Sequence, residues 1–249
     1  SDYVKHTLFS VPSSKGKGVL VSPTTHGNYL IGPSSEFVGD KEDKTTDSMT
    51  LKEVINQAYR LVDNIPMQHV IRQFSGLRAY HQSNDFVINC PKDGFINMLG
   101  IQSPGLASSP AIALKAKEMV IGELYRLGFE AKINNKFNPK RRPLYRINNL
   151  SLEERQALIA KDPRFGKMVC RCEKVSLGEV VDCIHRSCGA RTVKGVKKRV
   201  RPGFGKCQGG FCEPLILKIL AEELGKNQMD IRYSNPDSYI LLEKSKGEL

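Results

Sequence analysis

Apolar positions fall in short, strand-like runs through the first half of this chain and recur at helical spacing through the second. Gly18 to Gly32 reads as two short strands joined by a turn at His26, Gly27 and Asn28. A polar loop from about Gly39 to Ser48 precedes Thr50-Leu-Lys-Glu53, a capping-box pattern that predicts a helix to about Asn64, closed by Pro66. Strand-like runs follow at Val70–Ala79, Asp85–Cys90 and Phe95–Leu99, punctuated by Ser-Asn and Pro-Lys-Asp-Gly. Short turns between consecutive strands predict antiparallel pairing. A serine- and glycine-rich loop, Gly100–Ser109, then leads into Pro110, which suits the first turn of a helix running to about Leu127, with Gly128 as its stop.

Beyond this point the pattern changes. Residues 136–150 are polar and basic, with Pro139 and Pro143, and read as a linker between a first unit (1–135) and a second (151–226). Capping boxes at Ser151–Glu154 and Ser176–Glu179, a capping Thr192 and a helix opening at Cys212 make the second unit mostly helical. A tail, 227–249, holds one apolar run, Tyr239-Ile-Leu-Leu242, able to add a strand or pack on the body. The fold class expected is α+β: an antiparallel-sheet unit followed by a small, mostly helical one.

At 249 residues the chain has room for two ordinary domains. No apolar run approaches the roughly 18–20 residues that a membrane helix needs, and no signal-peptide pattern opens the chain. It begins at Ser1, which reads as a piece of a longer protein. Seven clustered cysteines do not resemble a disulfide framework and suit a reducing cytoplasm. Cys90 reads as a small buried hydrophobe, and Cys183 and Cys188 as spare thiols. The net charge of +12 raises nucleic acid as a partner, but much of the excess lies in Lys140–Arg142 and in Lys194–Arg201, beside the main cysteine group. An anionic thiolate site explains such neighbours without nucleic acid.

That group is Cys170-Arg-Cys172 and Cys207-Gln-Gly-Gly-Phe-Cys212, and four thiolates point to a metal or iron–sulfur site. A C-x-C pair cannot share one helix face, so its thiolates must converge from an extended turn. Gly203, Gly205, Gly209 and Gly210 let backbone wrap closely and leave N–H groups able to donate to sulfur. Cys212, at a helix N-terminus, gains from the helix dipole. A tetrahedral zinc site is compatible with the same ligands, although C-x-C is an awkward hook for one ion.

Lys167 to Leu224, with its Cys-Arg-Cys-Glu-Lys-Val-Ser-Leu-Gly-Glu and Gly-Phe-Gly-Lys-Cys-Gln-Gly-Gly-Phe-Cys stretches, resembles the bacterioferritin-associated-ferredoxin-like 2Fe–2S domain. The resemblance implies a 2Fe–2S cluster on Cys170, Cys172, Cys207 and Cys212.

Alone, the first unit carries weak chemistry. Arg78 on a strand beside Gly76 could grip a carboxylate or phosphate, His26 could act as a general base, and the Ser103–Ser109 loop offers an anion-friendly helix start. Their order is more telling. Val-Ser-Pro-Thr-Thr-His-Gly-Asn-Tyr-Leu-Ile-Gly-Pro, Phe-Ser-Gly-Leu-Arg-Ala, Asp-Phe-Val-Ile and Gly-Ile-Gln-Ser-Pro-Gly-Leu-Ala-Ser-Ser-Pro resemble the C-terminal half of FAD-dependent oxidoreductases of the D-amino-acid-oxidase superfamily, glycerol-3-phosphate dehydrogenases and L-2-hydroxyglutarate oxidases among them. That resemblance implies FAD contacts from Ser103, Gly105 and Leu106, with Arg78, His26 and Tyr80 facing a small anionic substrate. No G-x-G-x-x-G fingerprint is present, so the FAD-binding half is expected on missing N-terminal sequence, and this chain alone is expected to be inactive.

The reading is thus the C-terminal part of a cytoplasmic flavin dehydrogenase that oxidises glycerol 3-phosphate or a 2-hydroxy acid and passes electrons through the cluster to an acceptor protein or quinone. Lys194–Arg201 would dock an acidic electron partner. Two rivals remain at this stage: a zinc-stabilised basic module for nucleic acid, and a non-enzymatic iron–sulfur carrier or regulator.

Overall fold

The computed structural model describes residues 4–12 and 18–243, which divide between Phe137 and Asn138 into two units. Helices and small antiparallel sheets mix along the chain, an α+β fold with a small helical C-terminal domain.

The first unit opens with a three-stranded antiparallel sheet of β1 (Leu8–Phe9), β2 (Leu20–Pro23) and β3 (Tyr29–Gly32) in that order. The β2–β3 turn forms where expected: Thr24 N–H donates to the Asn28 carbonyl at 2.8 Å, and Gly27 takes φ 77°. Val19 and Val21, two residues apart, share one face of the sheet and pack with Ala58 and Val54 of α1 (Ser48–Tyr59) in a small core. α1 begins earlier than the Thr50 box predicts. Asp47 is the cap, its carboxylate accepting from Thr50 N–H at 2.8 Å, and Thr50 itself lies inside the helix.

Strands β4 (Val87–Lys92) and β5 (Phe95–Leu99) form the expected hairpin, turned at Asp93-Gly94. Residues 70–79 form no strand. Val70, Ile71, Phe74 and Leu77 are exposed there, so the stretch lacks the ladder partner and covering layer that a strand needs. Cys90 is exposed, not a core residue, because it sits on a hairpin with no sheet packed over it. α2 runs from Gly105 to Arg126, five residues longer at its start than Pro110 suggests. Pro110 has no N–H to give the Leu106 carbonyl. The Ser109 hydroxyl donates to that oxygen at 2.8 Å instead, and the helix continues through the proline. No residue of α2 is buried.

In the second unit, Ser151 and Ser176 form the two capping boxes and open α3 (Leu152–Lys161) and α4 (Leu177–His185). Thr192 caps α5 (Val193–Val200), and Cys212 stands at the start of α6 (Glu213–Leu224). Val180 and Ile184, Val193, Val196 and Val200, and Ile216 and Leu220 recur at three- and four-residue spacing and meet in one core. A two-strand hairpin, β6 (Met168–Cys170) and β7 (Val175–Ser176), lies just before α4. Of the stretch read as a linker, Leu144 packs on this core, Arg142 is paired with Asp182, and Arg146 donates to the Arg199 carbonyl at 2.7 Å. Residues 138–150 are therefore folded onto the second unit. In the tail, Ile231 is buried and Ile240 packs on the same core, while Arg232 and Tyr239 form an isolated bridge.

Candidate functional site

The β6–β7 hairpin explains the C-x-C spacing. Cys170 ends a strand and points into the core at 2% exposure, while Cys172, two residues on in the turn, is exposed. The second cysteine pair lies on a loop from Arg201 to Cys212 whose backbone takes positive φ at Arg201, Gly203, Gln208 and Gly209. Gln208 braces this loop, its side-chain amide donating to the Phe204 and Gly205 carbonyls at 3.2 and 3.0 Å. Gly205 is where the two loops touch: a Cβ there would lie 2.3 Å from Cys172 Cβ. Only a glycine lets the cysteine loops approach this closely.

The four sulfurs come together, in two pairs. Cys172 Sγ lies 3.6 Å from Cys207 Sγ, an outer pair, and the Cys170 and Cys212 thiols, an inner pair, lie near enough to act on each other's ionisation. Cys170 also acts electrostatically on Cys172, and Cys207 on Cys212, so the two pairs belong to one group of thiols. The inner pair is buried, 2% exposed at each residue, and the outer pair reaches solvent.

The thiols differ electrostatically. Backbone N–H donation from Gly209, the Cys172 thiol and Phe211 N–H lower the Cys207 pKa. The hydrogen bond that Cys172 makes to Cys207 raises its own. Burial, with the Cys170 and Cys207 thiols adding, pushes Cys212 up to about 12, against a backbone N–H bond from Gly203. The glycine-rich loop thus aims amide donors at sulfur, as its composition suggested.

This donor set fits a 2Fe–2S cluster. Sulfurs on one tetrahedral metal stand roughly 3.7 Å apart for metal–sulfur bonds of about 2.3 Å, which the outer pair matches. Two irons need two thiolate pairs, and two pairs are what the loops present. Among the described residues, no three His, Cys, Asp or Glu side chains close around a single point as ligands of one ion. The spare thiols Cys183 and Cys188 are not among the groups that act on these cysteines. Cys183 is fully buried in α4 with its pKa raised to about 12 by burial, and Cys188 is exposed beyond that helix.

The first-unit candidates are not gathered in the same way. His26 is exposed in the β2–β3 turn, its N–H on the Thr24 hydroxyl at 3.4 Å. Arg78 is exposed on the irregular 70–79 stretch, not on a strand. Tyr80 stacks edge-on to Phe37 at 5.1 Å. Ser103 precedes the α2 start, Gly105 N–H donates to the Gln102 carbonyl at 2.6 Å, and Leu106 stands 92% exposed. No hydrogen bond or ion pair among the described residues joins Arg78 to His26 or to Ser103–Leu106. What the spacing of cysteines could not reveal was how the basic stretch is used. Arg201 bridges to Glu173 at 2.8 Å, tying the two cysteine loops together, a contact across 28 residues of sequence.

Comparison with known proteins agrees with both halves of this description. Residues 168–222 match the BFD-like [2Fe-2S] binding domain, and residues 2–119 match the FAD dependent oxidoreductase family. A glycerol 3-phosphate dehydrogenase of Caloramator mitchellensis is 46% identical over 99% of this chain and 51% of its own length. A glycerol 3-phosphate oxidase of Mycoplasma genitalium is 35% identical over 53% of the chain and 34% of its own. The hydrogen cyanide synthase subunit HcnB of Pseudomonas aeruginosa is 37% identical over 20% of the chain and 10% of its own. The chain spans about half the length of the first of these relatives and less of the others. No solved structure matches it.

Proposed function

Because the chain joins part of an FAD-dependent oxidoreductase domain to a BFD-like [2Fe–2S]-binding domain, we propose that it works as one part of a flavin-dependent dehydrogenase. Glycerol 3-phosphate is the first substrate to test, since two of the relatives are a glycerol 3-phosphate dehydrogenase and a glycerol 3-phosphate oxidase, with a 2-hydroxy acid as the alternative of the same anionic class. The observation that carries the reading is the group of four thiols on two loops in a chain whose other unit matches a flavoprotein family. When bound, FAD would accept two electrons from a carbinol carbon, and a 2Fe–2S cluster would carry electrons onward one at a time.

The chain's own residues take the following parts. Arg78 supplies a fixed cation for the substrate's phosphate or carboxylate. His26 lies within the set that faces substrate and can take the hydroxyl proton. Ser103, Gly105 and Leu106, in and just before the first turn of a 22-residue helix, contribute backbone contacts to FAD. The exposed apolar residues of 70–80 and of α2 support this: Phe74, Leu77, Leu106 and Leu114 have nothing in their own unit to cover them, and the flavin-binding half of the enzyme would do so. Cys170, Cys172, Cys207 and Cys212 hold the cluster. The seven free cysteines suit a cytoplasmic setting, and no helix among the described residues is long and apolar enough to cross a membrane. By itself the chain would hold FAD weakly and lack activity.

The test is to co-express this chain with the remainder of the Caloramator mitchellensis protein and add glycerol 3-phosphate anaerobically. Bleaching of the flavin, followed by the cluster's reduced electron-spin-resonance signal, is expected. A complex that holds both groups yet stays oxidised with glycerol 3-phosphate and with 2-hydroxy acids would overturn the reading.

A further inference from the structure

The cations around the four cysteines fall into two sets. The inner set is committed within the fold. Lys197 is buried with its ammonium 4.9 Å from the Phe204 ring centroid, and the Arg201 guanidinium lies 4.7 Å from the same ring while it bridges to Glu173. Arg199 donates to the Gly195 and Cys188 carbonyls at 3.0 and 2.7 Å. The α5 stretch that the sequence offers as a docking face is therefore largely engaged in holding its own unit together.

The outer set is Arg171, Lys174 and Lys206. All three are exposed, and none makes a hydrogen bond or ion pair with the described residues. Arg171 and Lys174 lie in the β6–β7 turn on either side of Cys172, and Lys206 immediately precedes Cys207. Because Cys172 and Cys207 are 3.6 Å apart, these cations are anchored around the one sulfur pair that reaches solvent. Phe211 completes the rim. Its N–H lowers the Cys207 pKa as a donor to that sulfur, and the residue is 88% exposed. Of the acidic side chains in the two loops, Glu173 is neutralised by Arg201, and Glu213 lies over Gly209.

We propose that Arg171, Lys174, Lys206 and Phe211 form the docking surface for an acidic protein that exchanges single electrons at the outer thiol pair. Unpaired cations steer an acidic partner and raise its association rate, and an exposed aromatic beside them supplies the apolar centre that such interfaces use. Electron exchange requires close approach, and the outer pair is the part of the thiol group that a partner can reach. The inference rests on the reading above that the four cysteines hold a cluster in an electron path.

The experiment uses the full chain loaded anaerobically with iron and sulfide, and a flavodoxin as an acidic one-electron carrier. Binding is followed by surface plasmon resonance across ionic strengths, with iron and sulfide measured in each sample. The triple variant R171E/K174E/K206E is expected to lose about tenfold or more in association rate and most of the salt dependence. F211A is expected to dissociate several-fold faster. K194E/K198E, on α5, should stay within about twofold of the parent chain. If the triple variant fails to load iron, R171Q and F211A carry the test singly. Absence of flavodoxin binding by the loaded parent chain, binding indifferent to salt, or an equal loss in K194E/K198E overturns the docking surface. So does loss of flavodoxin binding on adding the flavin-bearing half, which would assign the surface to that half. A chain that takes up no iron and sulfide instead overturns the reading beneath it, so the two failures are distinct.

Discussion

The two units meet their own needs to different degrees. The second gathers Val180, Ile184, Val196, Val200, Ile216 and Leu220 into a core that its helices and the tail residue Ile231 close on every side. Among its described residues the first has four buried apolar ones, Val4, Val19, Val21 and Ala58, and a 22-residue helix with no buried residue. Both are drawn from the same ordinary composition. The difference lies in where each unit's apolar faces find a partner, and it separates a unit whose core closes within itself from one that leaves apolar faces uncovered.

Glycines give the sharpest way to break this contrast. At Gly205 an added methyl would stand 2.3 Å from Cys172 Cβ, with the Cys172 sulfur at 3.4 Å, so Gly205→Ala must push the cysteine loops apart. The expected result is near-complete loss of iron and sulfide, read by metal analysis and visible absorption, while the helical circular dichroism persists. At Gly122, within α2, nothing lies within 4 Å of the same methyl. Gly122→Ala should leave iron content unchanged and, through helix propensity, stabilise α2 by up to about 1 kcal/mol. Equal iron loss in both variants would remove the distinction.

The same contrast governs what could be read from the sequence. In the second unit the signals are local and mutually consistent. Ser151, Ser176 and Thr192 each cap the helix that their spacing announces, and the C-x-C pair comes from an extended turn. In the first unit local signals compete. Asp47 and Thr50 are both good caps, and the carboxylate wins by accepting from Thr50 itself. Pro110 looks like a first-turn residue, but the Ser109 hydroxyl repairs the bond that it removes. Val70–Ala79 has strand-like composition, yet a strand is decided by its neighbour, and composition carries no record of one. The engagement of Lys197, Arg199 and Arg201 was hidden for a related reason: Phe204, Cys188 and Glu173 are partners set by the fold, not by sequence distance.

Core truncations sharpen the comparison at smaller magnitude. Leu220 is fully buried among α4, α5 and α6, and Leu220→Ala should destabilise the second unit by about 2–5 kcal/mol. Leu114 is 62% exposed on α2, and Leu114→Ala should change stability by no more than about 0.5 kcal/mol. Chemical denaturation followed by circular dichroism measures both. Addition of the flavin-bearing half should raise the cost at Leu114 and leave that at Leu220 unchanged, which no purely internal role of α2 would produce.

The smallest effect concerns how the first unit fastens α2 without burying it. Glu123 accepts from Arg126 and from the Gly94 N–H of the β4–β5 turn at 2.8 Å, and Arg126 also reaches Asp93 at 2.8 Å. These bonds, with Arg126 first and Gly94 second, lower the Glu123 pKa to about 2 from an ordinary 4.5. A carboxylate whose folded pKa is depressed stabilises the fold above its unfolded pKa and loses that contribution as pH falls through the folded one. The attachment of α2 to the hairpin is therefore complete above about pH 4.5 and weakens progressively towards pH 2. The Gly94 amide proton resonance should shift across that window, and Glu123→Gln should abolish the shift while leaving the second unit's acid response unaltered. The hairpin and helix would thus loosen in acid at the partly buried Glu123 carboxylate, whereas the helices of the second unit are joined through an apolar core that does not titrate in acid.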